Sequence, residues 1–169
     1  MWWTGTTYAA IEKARGELVT SAAASASLGA ATGHRDYLLR SIVYGSRQAS
    51  GEGYLTVSQY LVKAGKAREW KELWDRNSKP VYDDLLAKGA LLGYSVDVED
   101  VHTDSPMWRM VVTLSPSAEA DDQFVSAMDA AAGKLSAQER TTRALMMDAV
   151  LEPGTHRDSY ARVLRHWHK

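Results

Sequence analysis

The stretch LLGYSVDVEDVHTDSPMWRMVVTL, residues 91–114, decides how the rest of the chain is interpreted. Apolar and polar residues alternate within 91–98 and again within 107–114, which is typical of β-strands with two different faces. A polar segment, 99–105, and Pro106 separate the two runs. Two alternating runs around a short polar loop predict an antiparallel β-hairpin.

The residues before the hairpin predict a strand followed by a helix. Residues 54–62 (YLTVSQYLV) alternate as a strand does. Trp70, Leu73 and Trp74 have helical spacing, and Lys88-Gly89 is a helix stop. Pro80 should interrupt this helix, because proline lacks the backbone donor and collides with the preceding turn.

The residues after the hairpin predict two helices and one more element. Ser115-Pro116 is interpreted as an N-cap followed by proline at the first helical position. Ser136 and Glu139 have the spacing of a capping box, which predicts a further helix to about Val150. Periodicity leaves 159–167 open between a strand and a short helix.

From Tyr54 onward the predicted order is β-α-β-β-α-β, the ferredoxin-like arrangement. The fold class is therefore α+β, with an antiparallel sheet that carries its helices on one face. The other face would show apolar side chains, so we expect dimerisation or an additional covering element. A helix from Tyr8, capped by Thr6 or Thr7, and a strand at 37–44 precede this unit. We divide the chain into an N-terminal extension, 1–50, and a ferredoxin-like domain, 51–169.

Composition excludes several classes of protein. Apolar residues make up 45% of the 169 residues, which is typical of a globular protein, and the net charge of −1 without a basic run argues against nucleic-acid binding. The absence of cysteine excludes disulfides and thiolate metal sites. No run is long enough for a membrane span, although peripheral association stays open. Residues 18–31 are better interpreted as a small-residue helix than as a signal peptide, and cytoplasm and periplasm are both allowed.

An acidic cluster with one imidazole is the first candidate site, and its members are Asp97, Glu99, Asp100, His102 and Asp104. Carboxylates with histidine can bind a divalent ion or act as an acid–base pair. The alternative is a solvated hairpin loop, with Asp97 opposite the apolar set of its strand. We favour that alternative, and we expect no metal and no cofactor.

Histidines and tryptophans give further candidates. His34 and His156 each precede Arg-Asp, which we interpret as local pairing at strand starts rather than as a base or a haem ligand. His166 and His168 have chelating spacing, but a solvated terminus explains them as well. Trp70 and Trp74 share one helix face, where core packing is favoured over ligand stacking.

Part of the chain resembles a known superfamily. The residues that carry the resemblance lie between 54 and 133 and include 62–66 (VKAGK), Trp70, 73–74, 79–81 (KPV), Gly89 and 92–94 (LGY). This pattern resembles the dimeric α+β barrel superfamily, especially its NIPSNAP-like and antibiotic-biosynthesis-monooxygenase-like branches and their uncharacterised bacterial members. The resemblance implies a ferredoxin-like fold. It implies less about function, since the superfamily includes haem-degrading and quinone-forming oxygenases, haem-binding enzymes and members without known chemistry.

Two functional hypotheses follow. The first is a non-catalytic binding or assembly module, an extrinsic accessory subunit of a larger complex, in which Trp2 and Trp3 dock onto a partner because tryptophan dominates interfaces. It is favoured because no nucleophile elbow, P-loop or dinucleotide motif occurs. The second, by resemblance, is a small oxygenase or haem-handling enzyme. Its cofactor-free form would need an Asn–Trp–His set, and Asn77 is the chain's single asparagine.

Overall fold

The computed structural model describes residues 7–19, 26, 38–99 and 107–167. Its helices are α1 (Tyr8–Val19), α2 (Ala67–Asn77), α3 (Lys79–Lys88), α4 (Ala118–Gly133) and α5 (Ala137–Val150). Its strands are β1 (Leu39–Ser46), β2 (Ser50–Leu61), β3 (Gly93–Glu99), β4 (Trp108–Ser115) and β5 (Arg157–Trp167). The chain divides into two compact units, residues 1–37 and residues 38–169, and the strands all belong to the second.

The described strands form one antiparallel sheet in the order β1-β3-β4-β2-β5. Helices α2 and α3 connect β2 to β3, and these two strands lie on either side of β4. Helices α4 and α5 connect β4 to β5, and these two strands lie on either side of β2. This is the split βαβ topology of the ferredoxin-like unit, so the predicted α+β fold is confirmed. The last segment, which periodicity left open, is a strand.

Strand β1 extends this sheet beyond the ferredoxin-like unit. It pairs with β3 from Leu39 opposite Glu99 to Ser46 opposite Gly93, with an irregularity between Ser41 and Val43. The strand predicted at 37–44 therefore exists, displaced toward the C-terminus by two residues. Strand β1 therefore belongs to the sheet, although the sequence analysis assigned its residues to the N-terminal extension, 1–50.

Helices α2 to α5 all pack on one face of the sheet, which we call the helix face. Tyr94 and Val96 of β3 and Val111 of β4 contribute to the core on this face. Val96 is paired with Val111, and cross-strand partners share a face. Since side chains alternate along a strand, the apolar set of β4 lies on the opposite face. That set consists of Trp108, Met110, Val112 and Leu114.

Aromatic rings dominate the contact between the helices and the sheet. The Trp74 ring centroid lies 5.4 Å from Tyr82 and 6.1 Å from Tyr94, and the Tyr82 ring lies 5.1 Å from Phe124. Tilted and edge-on pairs at such distances add about 0.5–1.5 kcal/mol each beyond the burial of their area. Trp70 and Trp74 are buried, which confirms their interpretation as core residues.

Local signals set most helix ends. Pro80 divides the long helical run as predicted, since α2 ends at Asn77 and α3 starts at Lys79 with proline in its first turn. Gly89 ends α3 in the left-handed conformation, with φ of +83°, where a side chain would be strained. Ser136 and Glu139 make both bonds of the predicted capping box.

The predicted start of α4 is wrong by two residues. The N-cap is Ser117, whose hydroxyl accepts a hydrogen bond from the Ala120 N–H at 3.3 Å. Ser115 stays in β4 because its backbone still pairs with Tyr54 of β2. Its buried hydroxyl donates to Asp121 Oδ1 at 2.5 Å, which ties the first turn of α4 to the sheet.

Gly53 of β2 provides a test of the strand packing. A Cβ at this position would lie 2.8 Å from the Ser115 carbonyl oxygen and 3.2 Å from Leu114 Cδ1. We expect Gly53→Ala to lower the free energy of unfolding by about 1–3 kcal/mol, because the closest atom belongs to backbone that cannot rotate away. Urea denaturation followed by circular dichroism measures this change.

Gly133, at the end of α4, is the matched control, because a Cβ there meets nothing within 4 Å. Gly133→Ala should leave the free energy of unfolding unchanged or raise it slightly, since alanine favours helix. Equal stability of the two variants would contradict the predicted clash at Gly53.

Candidate functional site

Several predicted site residues lie outside the described residues and have no structural outcome: Trp2, Trp3, His34, Asp100, His102, Asp104 and His168. Within the part of the chain that the structure describes, no three histidine, aspartate or glutamate side chains are grouped so as to hold a metal ion. In the same part, none of the helices has both the length and the apolar character of a membrane span.

Asp97 joins the edge strand β1 to its neighbour. Its side chain is 2% exposed and accepts hydrogen bonds at both oxygens, from Ser41 Oγ at 2.6 Å and from Ser95 Oγ at 2.8 Å. Burial raises the pKa of this carboxyl, and the two hydroxyls partly oppose that shift. As predicted, Asp97 lies opposite the apolar set of β3, but it is buried and bonded rather than solvated.

The sequence suggested that Glu99 lies in the hairpin loop, and this prediction is wrong. Glu99 is the last residue of β3, pairs with Leu39 of β1 and is 5% exposed. Pairing with β1 extends the strand as far as this residue. Asp97 and Glu99 lie two residues apart on one face, so the two described members of the acidic cluster share that face.

The His-Arg-Asp motif at 156–158 confirms the predicted local pairing at a strand start. His156 Nε2 lies 3.0 Å from Asp158 Oδ1, and Ser58 Oγ donates to the same oxygen at 2.6 Å. The Tyr60 ring stacks on the imidazole, with centroids 4.6 Å apart. Because the serine contacts the carboxylate and not the imidazole, these residues do not form a nucleophilic relay. They hold the start of β5 against β2.

The face opposite the helices is apolar along two central strands. Its β4 members Met110 and Val112 are already buried within the chain. Its β2 members are only partly buried: Leu55, Val57 and Leu61. We call the surface formed by these three residues with Val163 and His166 of β5 the β2–β5 face. Leu164 of the same edge strand is 74% exposed.

His166 carries an unsatisfied imidazole on this face. A Cβ at Gly53 would lie 3.8 Å from His166 Nδ1, so the ring lies over that glycine. Both ring nitrogens are buried and lack a hydrogen-bond partner. The sequence favoured a solvated terminus for His166 and His168. For His166 this interpretation is wrong, because both ring nitrogens are buried. A buried unpaired polar group costs about 1–3 kcal/mol, so His166 fits a site that a partner completes.

Arg109 was not recognised as a site residue from the sequence. Alternation placed it with Thr113 among the polar residues of its strand, but the pairing with Val98 puts it on the helix face, where it is 7% exposed. A cation between Trp108 and Met110 in an apolar run is the signal that could have identified it. Burial lowers the pKa of its guanidinium, because the charged form is desolvated.

Comparison with solved structures supports the fold. A dimeric ferredoxin-like protein from an uncultured marine organism matches with a TM-score of 0.50 and 13% identity, over 69% of this chain and 92% of that one. A proposed monooxygenase from Lactobacillus acidophilus matches with a TM-score of 0.52 and 12% identity, over 91% and 65%. A NIPSNAP family protein of unknown function from Agrobacterium tumefaciens matches with a TM-score of 0.44 and 11% identity, over 66% and 88%.

No protein-family model matches the sequence, and no curated protein does. The solved structures show that the chain is similar in fold to a dimeric ferredoxin-like protein and to a proposed bacterial monooxygenase. At such low identity the likeness extends to the fold alone, and a fold of this kind hosts many functions.

The buried carboxyl of Asp97 gives a pH-dependent prediction. Its folded-state pKa is raised, so folding favours the protonated form, and this contribution is lost as the pH rises through the folded-state pKa. Asp97→Asn never ionises. Its free energy of unfolding relative to the unsubstituted protein should therefore increase between pH 4 and pH 7. Urea titrations at four pH values measure the difference.

The exposed Asp129 of α4 is the control, because Asp129→Asn makes the same chemical change outside the core. If Asp97→Asn instead lost relative stability as the pH rose, the buried carboxylate would be favoured by the fold, and the burial argument would be wrong.

Proposed function

We propose that the protein is a non-catalytic assembly module whose first partner is a second copy of the same chain, bound at the β2–β5 face. The observation that carries the proposal is the apolar stripe of β2, which points away from α2 to α5 and remains partly exposed. Apolar surface of this kind is costly in water and is typical of an interaction site.

A second copy fits this face better than an unrelated partner for two reasons. The marine ferredoxin-like neighbour, which has the same fold, is dimeric. The face also lies next to β5, an edge strand of the sheet, and an edge presents unpaired backbone groups to another chain. A two-fold axis near this edge would bring the same residues of both copies together.

His166 explains why the contact would be specific. Its ring nitrogens are shielded from solvent without protein partners in the single chain. A second copy that packs against this ring would make the same contact twice, because the interface is symmetric. The aliphatic residues of the β2–β5 face would supply most of the buried area, and the imidazole would fix how the two copies align.

An accessory role in a larger complex extends this proposal to the N-terminal pair Trp2 and Trp3. A tryptophan buries about 150–250 Å² and often carries a large share of binding energy. In this view the sheet face joins the copies, and the aromatic pair joins the dimer to another protein.

The alternative is a small oxygenase or haem-handling enzyme, which the Lactobacillus neighbour of the same fold favours. An absorbance spectrum of the purified protein separates the two functions. A Soret band that persists through gel filtration would favour haem handling over the assembly module.

The first test of the proposal changes the mass of the particle. Val57→Glu puts a carboxylate into the centre of the proposed contact, where desolvating an unpaired charge opposes association. We expect the unsubstituted protein to sediment as a dimer and Val57→Glu as a monomer with the same circular dichroism spectrum. Sedimentation velocity at several micromolar concentrations measures this.

Val125→Glu is the matched control, because Val125 lies on α4 and is 56% exposed. It introduces the same charge away from the β2–β5 face and should leave the dimer intact. A monomeric unsubstituted protein, or a dimer that survives Val57→Glu, would refute self-association at this face.

A second test separates the aromatic pair from the sheet face. Replacing Trp2 and Trp3 together by alanine should leave the melting temperature and the dimer unchanged, while affinity for the larger complex falls by roughly 2–4 kcal/mol. Thermal denaturation and quantitative co-purification measure the two effects. A lower melting temperature with unchanged co-purification would return the pair to the protein's own core.

A further inference from the structure

An open cavity of about 520 Å³ lies between α2 and the ends of β1, β3 and β4, on the helix face. Apolar side chains from three segments form part of its wall, namely Ile42, Val98 and Met107. Charged residues of α2, with Arg40, Glu99 and Arg109 from the strands, form the remainder. The cavity is separate from the β2–β5 face, because it lies on the helix face and its strand residues belong to β1, β3 and β4.

Arg109 is the buried cation of this cavity. It is 7% exposed, and its Nε–H has no hydrogen-bond partner. Its Nη1 donates to the backbone carbonyl of the preceding residue, Trp108, at 2.9 Å. Among the described residues no carboxylate lies within ion-pair distance of its guanidinium. A buried guanidinium without an anion is costly, so an anionic ligand at this position would stabilise Arg109.

The neighbouring cations of α2 are paired differently. Lys71 Nζ binds Asp75 Oδ2 at 2.5 Å, and Arg68 Nε lies 3.7 Å from Glu72 Oε1 at an exposed position. Both pairs are formed by neighbours on the same helix. Arg109 differs from these two cations, because no described carboxylate pairs with it.

Asp75 adds a second unsatisfied atom to the same cavity. Its Oδ1 is buried and has no partner, while Oδ2 is held by Lys71. Arg109 and Asp75 both line this cavity, and each has one buried polar atom, Nε and Oδ1, without a partner. A ligand that matches both would carry an anionic group and, apart from it, a hydroxyl or ammonium donor.

We propose that this cavity binds a small organic carboxylate, with Arg109 as the residue that binds its carboxylate group. A guanidinium presents parallel N–H donors that match the two oxygens of a carboxylate. The wall formed by Ile42, Val98 and Met107 takes the hydrocarbon part, and Asp75 takes a donor group where the ligand has one. This site is formed within one chain and does not depend on self-association.

The test uses the full chain and three probes: benzoate, the neutral isostere benzamide, and inorganic phosphate. Isothermal titration measures affinity, and the ¹⁵N–¹H signal of the Arg109 side-chain Nε reports contact in the unsubstituted protein. We expect saturable benzoate binding with a shift of that signal. Benzamide and phosphate should bind at least tenfold more weakly, because one lacks the charge and the other lacks the apolar group.

Arg109→Met separates binding from folding. Removing a buried unpaired charge should leave the melting temperature of the ligand-free protein unchanged or higher, while benzoate affinity falls at least tenfold. Arg68→Met, at an exposed position on the same cavity, is the control and should change affinity less than threefold. If Arg109→Met does not fold, the Nε signal of the unsubstituted protein decides the question.

Absence of benzoate binding, binding that survives Arg109→Met, or an unmoved Nε signal would each overturn the proposal. Equal binding of phosphate and benzoate would also overturn it, since the cavity would then attract anions without using its apolar wall.

Discussion

The pairing of Val96 with Val111 in the central hairpin is the constraint on which the rest of the structure depends. This register turns the apolar set of β3 toward the helices and the apolar set of β4 away from them. A slip by one residue would exchange the two faces, because side chains alternate along a strand. The aromatic contacts of Tyr94 with Trp74 and Tyr82 then hold α2 and α3 over the correct face.

The same register explains why the chain has apolar surface on both sides of one sheet. Leu55 and Val57 of β2 are paired with Leu114 and Val112 of β4, so the stripe continues across two strands. Helices α2 to α5 do not cover this stripe, since they pack on Tyr94, Val96 and Val111 on the other face. A ferredoxin-like unit with such a stripe is suited to association, and the proposed function follows from that geometry.

The buried polar groups of the sheet differ in whether they have hydrogen-bond partners. Asp97 receives both of its hydrogen bonds from nearby serines, so it stabilises the attachment of β1 without a ligand. Arg109 and His166 have buried nitrogens with no such bonds. This difference, which rests on hydrogen bonds rather than on residue type, separates a structural residue from candidate binding residues. It also explains why the acidic cluster, the most conspicuous pattern in the sequence, contributes less to the proposals than Arg109 and His166 do.

The sequence by itself determined the features that depend on near neighbours. The hairpin, the break at Pro80, the capping box of Ser136 and the β-α-β-β-α order all follow from signals within a few residues, while periodicity left the last segment open. Tertiary structure alone decided the faces of β4, the late start of α4, the pairing of Glu99 with β1, and the cavity around Arg109. The physical reason is that each of these depends on which strand lies beside which. Pairing between distant segments is set by packing of the whole sheet, and no local pattern in the chain records it.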